Sequence, residues 1–434
     1  MTKNVLADPS VPRSGLKSRR VAGRFALLAG VMAASTSSVA IAQSRSSVPQ
    51  ATAVNAPRVD NKSASISVAA RYDSNIARLS AFQAQQADIV QDDVSISPSV
   101  DINYSRSIGP HQVGIAALLG YSFYNRNTQL NRENLSIQPF AYLDLPICDL
   151  SVSGNLSRRR SDLGDFIVVV DNPATAINNT ETFKEVSGRL ICGDSYGLRP
   201  TFEVSHATGS NSEPVRRLAN YRTTRIQPGL GYSSPTLGEI SLYAVRQEDE
   251  LVNRPIGDGR LAGFTLRGAG VSYQRAIGSR LNFSGSVSQV EVTPNDPRTP
   301  SNSGINASVG LTVVATPRLQ LALGASREFS SSLTSSADYE LAESYSLTAN
   351  YAVNDRLYLR AGGSISPRQV FYSVEPVEPF IGKQTQYGIS AGANYNLNQR
   401  LRLGLDGGYI SRSTGLPGYD YSGYNVTLSL SFSL

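Results

Sequence analysis

Apolar and polar residues take turns along most of this chain, with a period of two. Ile66, Val68, Ala70 and Tyr72 share one parity, and Ile305, Ala307, Val309, Leu311 and Val313 share another such run. Tyr345, Leu347, Ala349, Tyr351 and Val353 repeat the pattern, as do Val426, Leu428, Leu430 and Phe432. Successive side chains of a strand point to opposite faces, so each run predicts a β-strand with one apolar and one polar face. The intervening positions are neutral and polar: Ser346, Thr348 and Asn350 in one strand, Asn425, Thr427, Ser429 and Ser431 in another. Many runs extend over roughly ten to thirteen residues, whereas sandwich strands usually have five or six and a tilted membrane-spanning strand needs about 9 to 11.

The connections fall into two classes that alternate. Short turns are expected at Gly109-Pro110, Pro146-Ile147, Gly193-Asp194, Ser234-Pro235, Gly278-Ser279, Thr316-Pro317, Asn354-Asp355 and Asn398-Gln399. Short turns at one end and longer connections at the other are the signature of a transmembrane barrel, and this set implies about 18 strands, with roughly 16 to 20 as the range. The fold expected is therefore all-β: a transmembrane antiparallel up-and-down β-barrel over residues 65–434. Arg280-Leu281, Arg318-Leu319, Arg356-Leu357 and Arg400-Leu401 each follow a short turn, at intervals of 38, 38 and 44 residues. That period equals one strand pair with its two connections; propeller blades have similar periods but shorter strands.

Tyrosines add a second line of support. The apolar parity places Tyr104, Tyr232, Tyr273, Tyr351 and Tyr395 outward near the short turns, and Tyr72, Phe264, Tyr345, Tyr387 and Tyr424 outward at the opposite end. Two belts of amphipathic rings bounding an apolar band are what a bilayer interface selects.

Composition changes the picture mainly at the N-terminus. Residues 1–42 read as a signal peptide: basic Lys17, Arg19, Arg20 and Arg24, the apolar run Phe25 to Ala34, then small residues ending in Ala40-Ile41-Ala42, with cleavage expected after Ala42. With Lys3, Arg13 and Asp8 included, this leader holds a net +5 of the chain's formal +6, so the remainder is nearly neutral and gives no reason to expect nucleic acid. Residues 43–64, with Pro49 and Pro57 and no periodicity, are expected to be a flexible periplasmic segment. No later run of apolar residues reaches the 18 or so that a membrane helix needs.

Candidate chemistry is sparse. His111 and His206 lie far apart, and no catalytic order, metal-ligand spacing or phosphate loop accompanies them, so no enzymatic activity, cofactor or metal is expected. Cys148 and Cys192 sit beside two short turns, at the same rim, and in an oxidising compartment are expected to form a disulfide. Arg158-Arg159-Arg160 opens a long connection continuing through Asp162, Asp165 and Asp171; it is either a basic rim for lipopolysaccharide phosphate or a solvated strand end. The polar parity gives a lumen of Ser151, Ser153, Asn155, Asn282, Ser284, Asn306, Ser308, Gln386, Ser390 and Asn394, with Arg267, Arg360, Arg402 and Asp406 as its charges. Such a wall hydrogen-bonds hydroxyls without trapping ions strongly, and it suits water equally.

At Tyr72-Asp73-Ser74-Asn75 the chain resembles the Tyr-Asp-x-Asn opening of outer-membrane β-barrel porins associated with exopolysaccharide gene clusters. The resemblance implies a role near polysaccharide export. Bacterial barrels usually end in an aromatic residue; here Leu434 is last and Phe432 stands two before it. The expectation is an outer-membrane barrel assisting passage of an extracellular polysaccharide through a polar lumen. A general or nutrient-uptake porin is the alternative, and a structural surface barrel without conductance is a third. Expected partners are outer-membrane lipid and lipopolysaccharide, the barrel-insertion machinery, and, for export, polysaccharide and periplasmic export components.

Overall fold

A computed structural model describes residues 60–160, 179–257, 259–331, 337–372, 382–416 and 418–434. The expected signal peptide (1–42), residues 43–59 and Asp162, Asp165 and Asp171 lie outside them. The first strands are β1 (Asn61–Asp73), β2 (Asp93–Ile108), β3 (His111–Tyr124), β4 (Arg132–Asp144), β5 (Cys148–Arg160) and β6 (Thr180–Cys192). They continue with β7 (Gly197–Asn211), β8 (Tyr221–Ser234), β9 (Gly238–Pro255), β10 (Leu261–Ile277), β11 (Leu281–Pro294) and β12 (Asn302–Thr316). The last are β13 (Leu319–Ser330), β14 (Tyr339–Ala352), β15 (Leu357–Phe371), β16 (Lys383–Asn396), β17 (Leu401–Ser413) and β18 (Tyr421–Ser433). One short helix, α1 (Ala81–Gln86), lies between β1 and β2.

Each strand pairs antiparallel with its neighbour in sequence, and β1 pairs with β18 through nine residue pairs from Ser65↔Ser433 to Asp73↔Asn425. The 18-stranded sheet is therefore a closed barrel. Strands about 4.8 Å apart, tilted about 40°, close a ring roughly 35 Å across between backbones. All eight expected short turns connect consecutive strands at one end. The barrel begins earlier than expected: Asn61 to Ala64, placed in the flexible segment by their lack of alternation, pair with Ser105 to Ile102 of β2. Backbone hydrogen bonds to β2 do not require an apolar parity, so this pairing leaves no alternation in the sequence.

Parity sorts the side chains as the alternation requires. Along β18, Val426, Leu428, Leu430 and Phe432 are exposed on the outer surface, with relative exposures of 40–51%, while Thr427, Ser429 and Ser431 face inward. Ile66, Val68, Val309, Leu323, Leu347, Leu359 and Leu405 extend this exposed apolar surface around the wall. The band spans about nine residues of each strand, or roughly 20–25 Å along the barrel axis. Tyr104, Tyr232, Tyr351 and Tyr395 are exposed at its short-turn edge. Tyr273 shares their parity, donates its hydroxyl to Leu237 O (2.9 Å) and packs on Phe283.

Cys148 and Cys192 face each other across β5 and β6 and form a disulfide with S–S 2.08 Å. They share the parity of Leu150 and Leu190, so the bridge lies on the outer face of the short-turn rim. It closes a separation of 44 residues, which in a loop-entropy account restricts the unfolded chain by about 4 kcal/mol. Both thiols should resist alkylation in the unreduced protein and label after reduction under denaturing conditions. The Cys148→Ser/Cys192→Ser variant should still assemble, because the strand ladder satisfies the backbone; labelling of both thiols without reductant would contradict the bridge.

Candidate solute path

The inner face is built from the polar parity. Ser151, Ser153, Asn155, Asn282, Ser284, Asn306, Ser308, Gln386, Ser390 and Asn394 all fall on it. Serines pair across strands: Ser67 with Ser99 (2.7 Å), Ser153 with Ser187 (2.7 Å) and Ser286 with Ser308 (2.8 Å). Each hydroxyl so engaged retains capacity toward the interior.

Of the four charges expected in the lumen, three face inward, and Asp101, Glu185, Arg189, Glu203 and Arg225 share the inward parity of β2, β6, β7 and β8. Arg360 on β15, Gly392 on β16 and Asp406 on β17 form one row across three strands, and Arg360 Nη2 donates to Asp406 Oδ1 at 2.7 Å. A Cβ at Gly392 would collide with the Asp406 carboxylate, so the glycine makes room for the ion pair. Arg402 Nε donates to Asn396 Oδ1 at 3.1 Å on the same wall. Arg267 does not join them. It shares the parity of exposed Val271 and stands opposite Arg246 and Glu291 on the outer surface of the long-loop end. The lumen assignment fails because β10 continues beyond the apolar band, where outward positions turn polar. Sequence reasoning missed Arg71, which faces inward and donates to Asp73 Oδ2 at 2.6 Å, and Arg199, buried between Asp149 (3.8 Å) and Glu239 (3.9 Å).

The Tyr72-to-Asn75 motif has a complete structural employment. Tyr72 is outward and its ring meets Tyr424 at 5.9 Å. Asp73 Oδ1 accepts from the Asn75 amide (3.0 Å), and Ser74 Oγ accepts from the Tyr424 amide (2.9 Å). Asn75 donates to Leu79 O (2.7 Å) and Ser422 O (3.1 Å) and accepts from the Leu79 amide. These bonds tie the segment after β1 to β18. Ile76, Ala77, Leu79, Ala84, Ala87 and Ile89 then bury themselves with Leu130 as a small core around α1, whose Ser80–Gln83 capping box fixes its start.

The basic triplet is also engaged. Arg158 Nε meets Glu133 Oε1 at 2.7 Å, Arg159 lies 3.9 Å from Glu181, and Arg160 donates to Ile76 O at 3.0 Å with its guanidinium over the Tyr124 ring.

A second segment crosses the interior. Ser331, just past β13, donates to Asp249 Oδ1 of β9 at 3.0 Å, and Thr223 of β8 reaches the same carboxylate. Asp249 shares the inward parity of Val245, and four strand spacings of about 4.8 Å separate β9 from β13 along the wall. The β13–β14 end must therefore leave the wall and pack on the inner face of β9–β11. Arg254 donates to Asp338 Oδ1 at 2.7 Å, and Thr299 donates to Asp338 Oδ2 at 2.5 Å. Tyr339 stacks on Phe371 (4.6 Å) and contacts Phe264 and Phe329, over Leu266, Val290 and Val292. Phe264, expected outward, is thus buried inward, its parity being apolar only where the hairpin covers it. Nearby, in the β11–β12 connection, Arg298 bonds the Asp296 carboxylate and holds it below the ordinary carboxylate range.

His206 is outward and bonded to Thr224 Oγ1 (3.0 Å), while His111 Nδ1 accepts from the Asp144 amide (3.2 Å). Among the described residues no group of three or more metal-type ligands converges.

No protein-family model and no curated protein matches the chain. Among solved structures it is similar to OccK2 (OpdF) of Pseudomonas aeruginosa, at 12% identity and a TM-score of 0.45, covering 86% of this chain and 98% of that one. A BenF-like porin from Pseudomonas fluorescens is similar at 10% identity and TM-score 0.42, covering 87% and 100%. Acinetobacter baumannii OccAB3 is similar at 11% and 0.42, covering 86% and 99%. The fold itself rests on the strand pairing of this chain.

Removing one partner of a buried ion pair costs about 3 to 5 kcal/mol. Asp338→Ala should therefore release the hairpin from the β9–β11 wall. A cysteine placed at Val290, in protein with Cys148 and Cys192 changed to serine, should react with a water-soluble maleimide about tenfold faster or more once Asp338 is lost. An unchanged rate would show that the hairpin is held elsewhere.

Proposed function

We propose that this chain is a passive outer-membrane channel for small polar solutes. The observation that carries it is a closed wall whose outer face is an apolar band and whose inner face is polar except at the long-loop end of β9–β11, where the β13–β14 end covers it. An apolar band of that height left in water would be an aggregation surface, whereas a bilayer core matches it. Short turns then face the periplasm and long connections the exterior. Diffusion through such a lumen needs no covalent chemistry; hydroxyls, amides and paired charges replace the solute's lost water contacts.

Polysaccharide export drew its specific support from the Tyr72-Asp73-Ser74-Asn75 resemblance. The side chains of Asp73, Ser74 and Asn75 bond within the β1–β2 segment and to β18, and the Tyr72 ring packs on Tyr424. The motif is accounted for without a polymer. The β13–β14 end occupies part of the external entrance, which favours small solutes over a hydrated chain.

Purified protein should form ion-conducting channels in planar bilayers. In cells, a clean deletion should slow entry of small polar solutes and leave polysaccharide output unchanged. Normal solute entry combined with polysaccharide held in the periplasm would overturn the proposal in favour of export.

A further inference from the structure

Four arginine-leucine pairs lie along one arc of the short-turn rim, and what is inferred from them rests on the channel proposed above. Arg280, Arg318, Arg356 and Arg400 occupy corresponding places in four consecutive short turns, before β11, β13, β15 and β17. Their carbonyls accept from Val314, Ala352, Asn396 and Ser433 amides at 2.7–2.8 Å, so each already belongs to the strand ladder. Three of the turns are fixed by a side chain two residues earlier: Thr316 Oγ1, Asn354 Oδ1 and Asn398 Oδ1 accept from the amides of Arg318, Arg356 and Arg400 and of the following leucines. The backbone conformation is therefore set by Thr and Asn together with main-chain bonds, and the guanidiniums contribute nothing to it. All four arginines are exposed, and no hydrogen bond or ion pair engages their side chains among the described residues.

Parity gives their direction. Each precedes a leucine on the apolar, outward parity of its strand, the parity of exposed Leu323, Leu359 and Leu403. The arginines alternate with those leucines and fall on the lumen side of the rim. Neighbouring ones stand two strands apart, about 10 Å along the wall. Arg402 and Arg360 continue the same inner face toward the interior, Arg360 being paired with Asp406.

The opposite arc of the mouth differs. Residues 109–110, 145–147, 193–196 and 235–237, the turns between β2 and β9, hold no basic residue and one acid, Asp194. Asp149 and Glu239 face inward at the adjoining strand ends and share Arg199. Asp355 is the one acid in the four arginine turns.

We infer that Arg280, Arg318, Arg356 and Arg400 form an anion-collecting arc at the periplasmic mouth, making small anions, carboxylates and phosphates among them, the favoured solutes. Unpaired guanidiniums spaced near the Debye length reinforce one another at low salt and act singly at high salt.

The test is the reversal potential of single channels under a potassium chloride gradient. Wild-type protein should favour chloride over potassium about threefold or more near 0.1 M, where screening reaches about 10 Å, and approach equality near 1 M, where it reaches about 3 Å. R280Q/R318Q/R356Q/R400Q should abolish the preference, and the fourfold Arg→Lys variant should keep it, since charge and not the guanidinium fork is invoked. Heat-modifiable gel mobility would confirm that both variants remain folded barrels. Cation preference in the wild type, or undiminished anion preference in the fourfold Gln variant, would overturn the inference while leaving the channel intact. No conductance from any form would overturn the channel itself, and the inference with it.

Discussion

The hydrogen-bonded seam between β1 and β18 is the interaction on which the remaining features depend. Nine residue pairs close the sheet, and the Leu434 amide donates to Ala64 O at 2.9 Å just beyond them. Without closure, β1 and β18 would be edges whose unpaired amides and carbonyls cannot be left in hydrocarbon. Closure also converts two faces into an outside and an inside. Every strand must then direct one parity toward lipid and the other toward water, and a slip of one residue would exchange them. The bonds from Ser74 and Asn75 to Tyr424 and Ser422 lie at the long-loop end of this seam, which explains why the motif there is so fully engaged.

Inside, the wall is not uniform. Mid-wall, β10 to β13 direct small residues inward, among them Gly268, Gly270, Ser286, Ser308, Gly310 and Gly324, while β15 to β17 carry Arg360, Asp406 and Arg402. At the long-loop end the β13–β14 segment packs on β9–β11 through apolar contacts and one buried ion pair. In the proposed channel a solute would meet a narrowed long-loop end, a middle lined by hydroxyls and charges, and the inferred basic arc at the short-turn end. The order matters, because charges at a mouth act on encounter while paired charges inside act on passage.

Most of the fold was legible in the sequence because period two and turn chemistry are local. Eighteen strands, eight short turns and the Cys148–Cys192 bridge follow from them. What was not legible depends on chain returning to the interior. Along β11, Leu281, Phe283 and Val287 are outward and apolar, yet beyond Ser288 the apolar residues become Val290 and Val292, on the inward parity. That switch, also present as Phe264 and Leu266 against Val271 and Tyr273 in β10, marks the surface covered by the hairpin. It also marks where outward positions such as Arg267 leave the apolar band, so one unrecognised signal explains both misplacements. Asn61 to Ala64 were missed for a different reason, since their pairing is carried by backbone alone.

The central claim is that one parity of a closed wall faces lipid and the other a water-filled lumen. Single cysteines placed in turn at residues 425–432 of β18, in protein lacking Cys148 and Cys192 and reconstituted in bilayers, test it most directly. Substituents at Val426, Leu428, Leu430 and Phe432 should report contact with acyl chains, and those at Asn425, Thr427, Ser429 and Ser431 should be reached by a small water-soluble thiol reagent. Equal reactivity at both parities, or water access at the apolar one, would contradict the account.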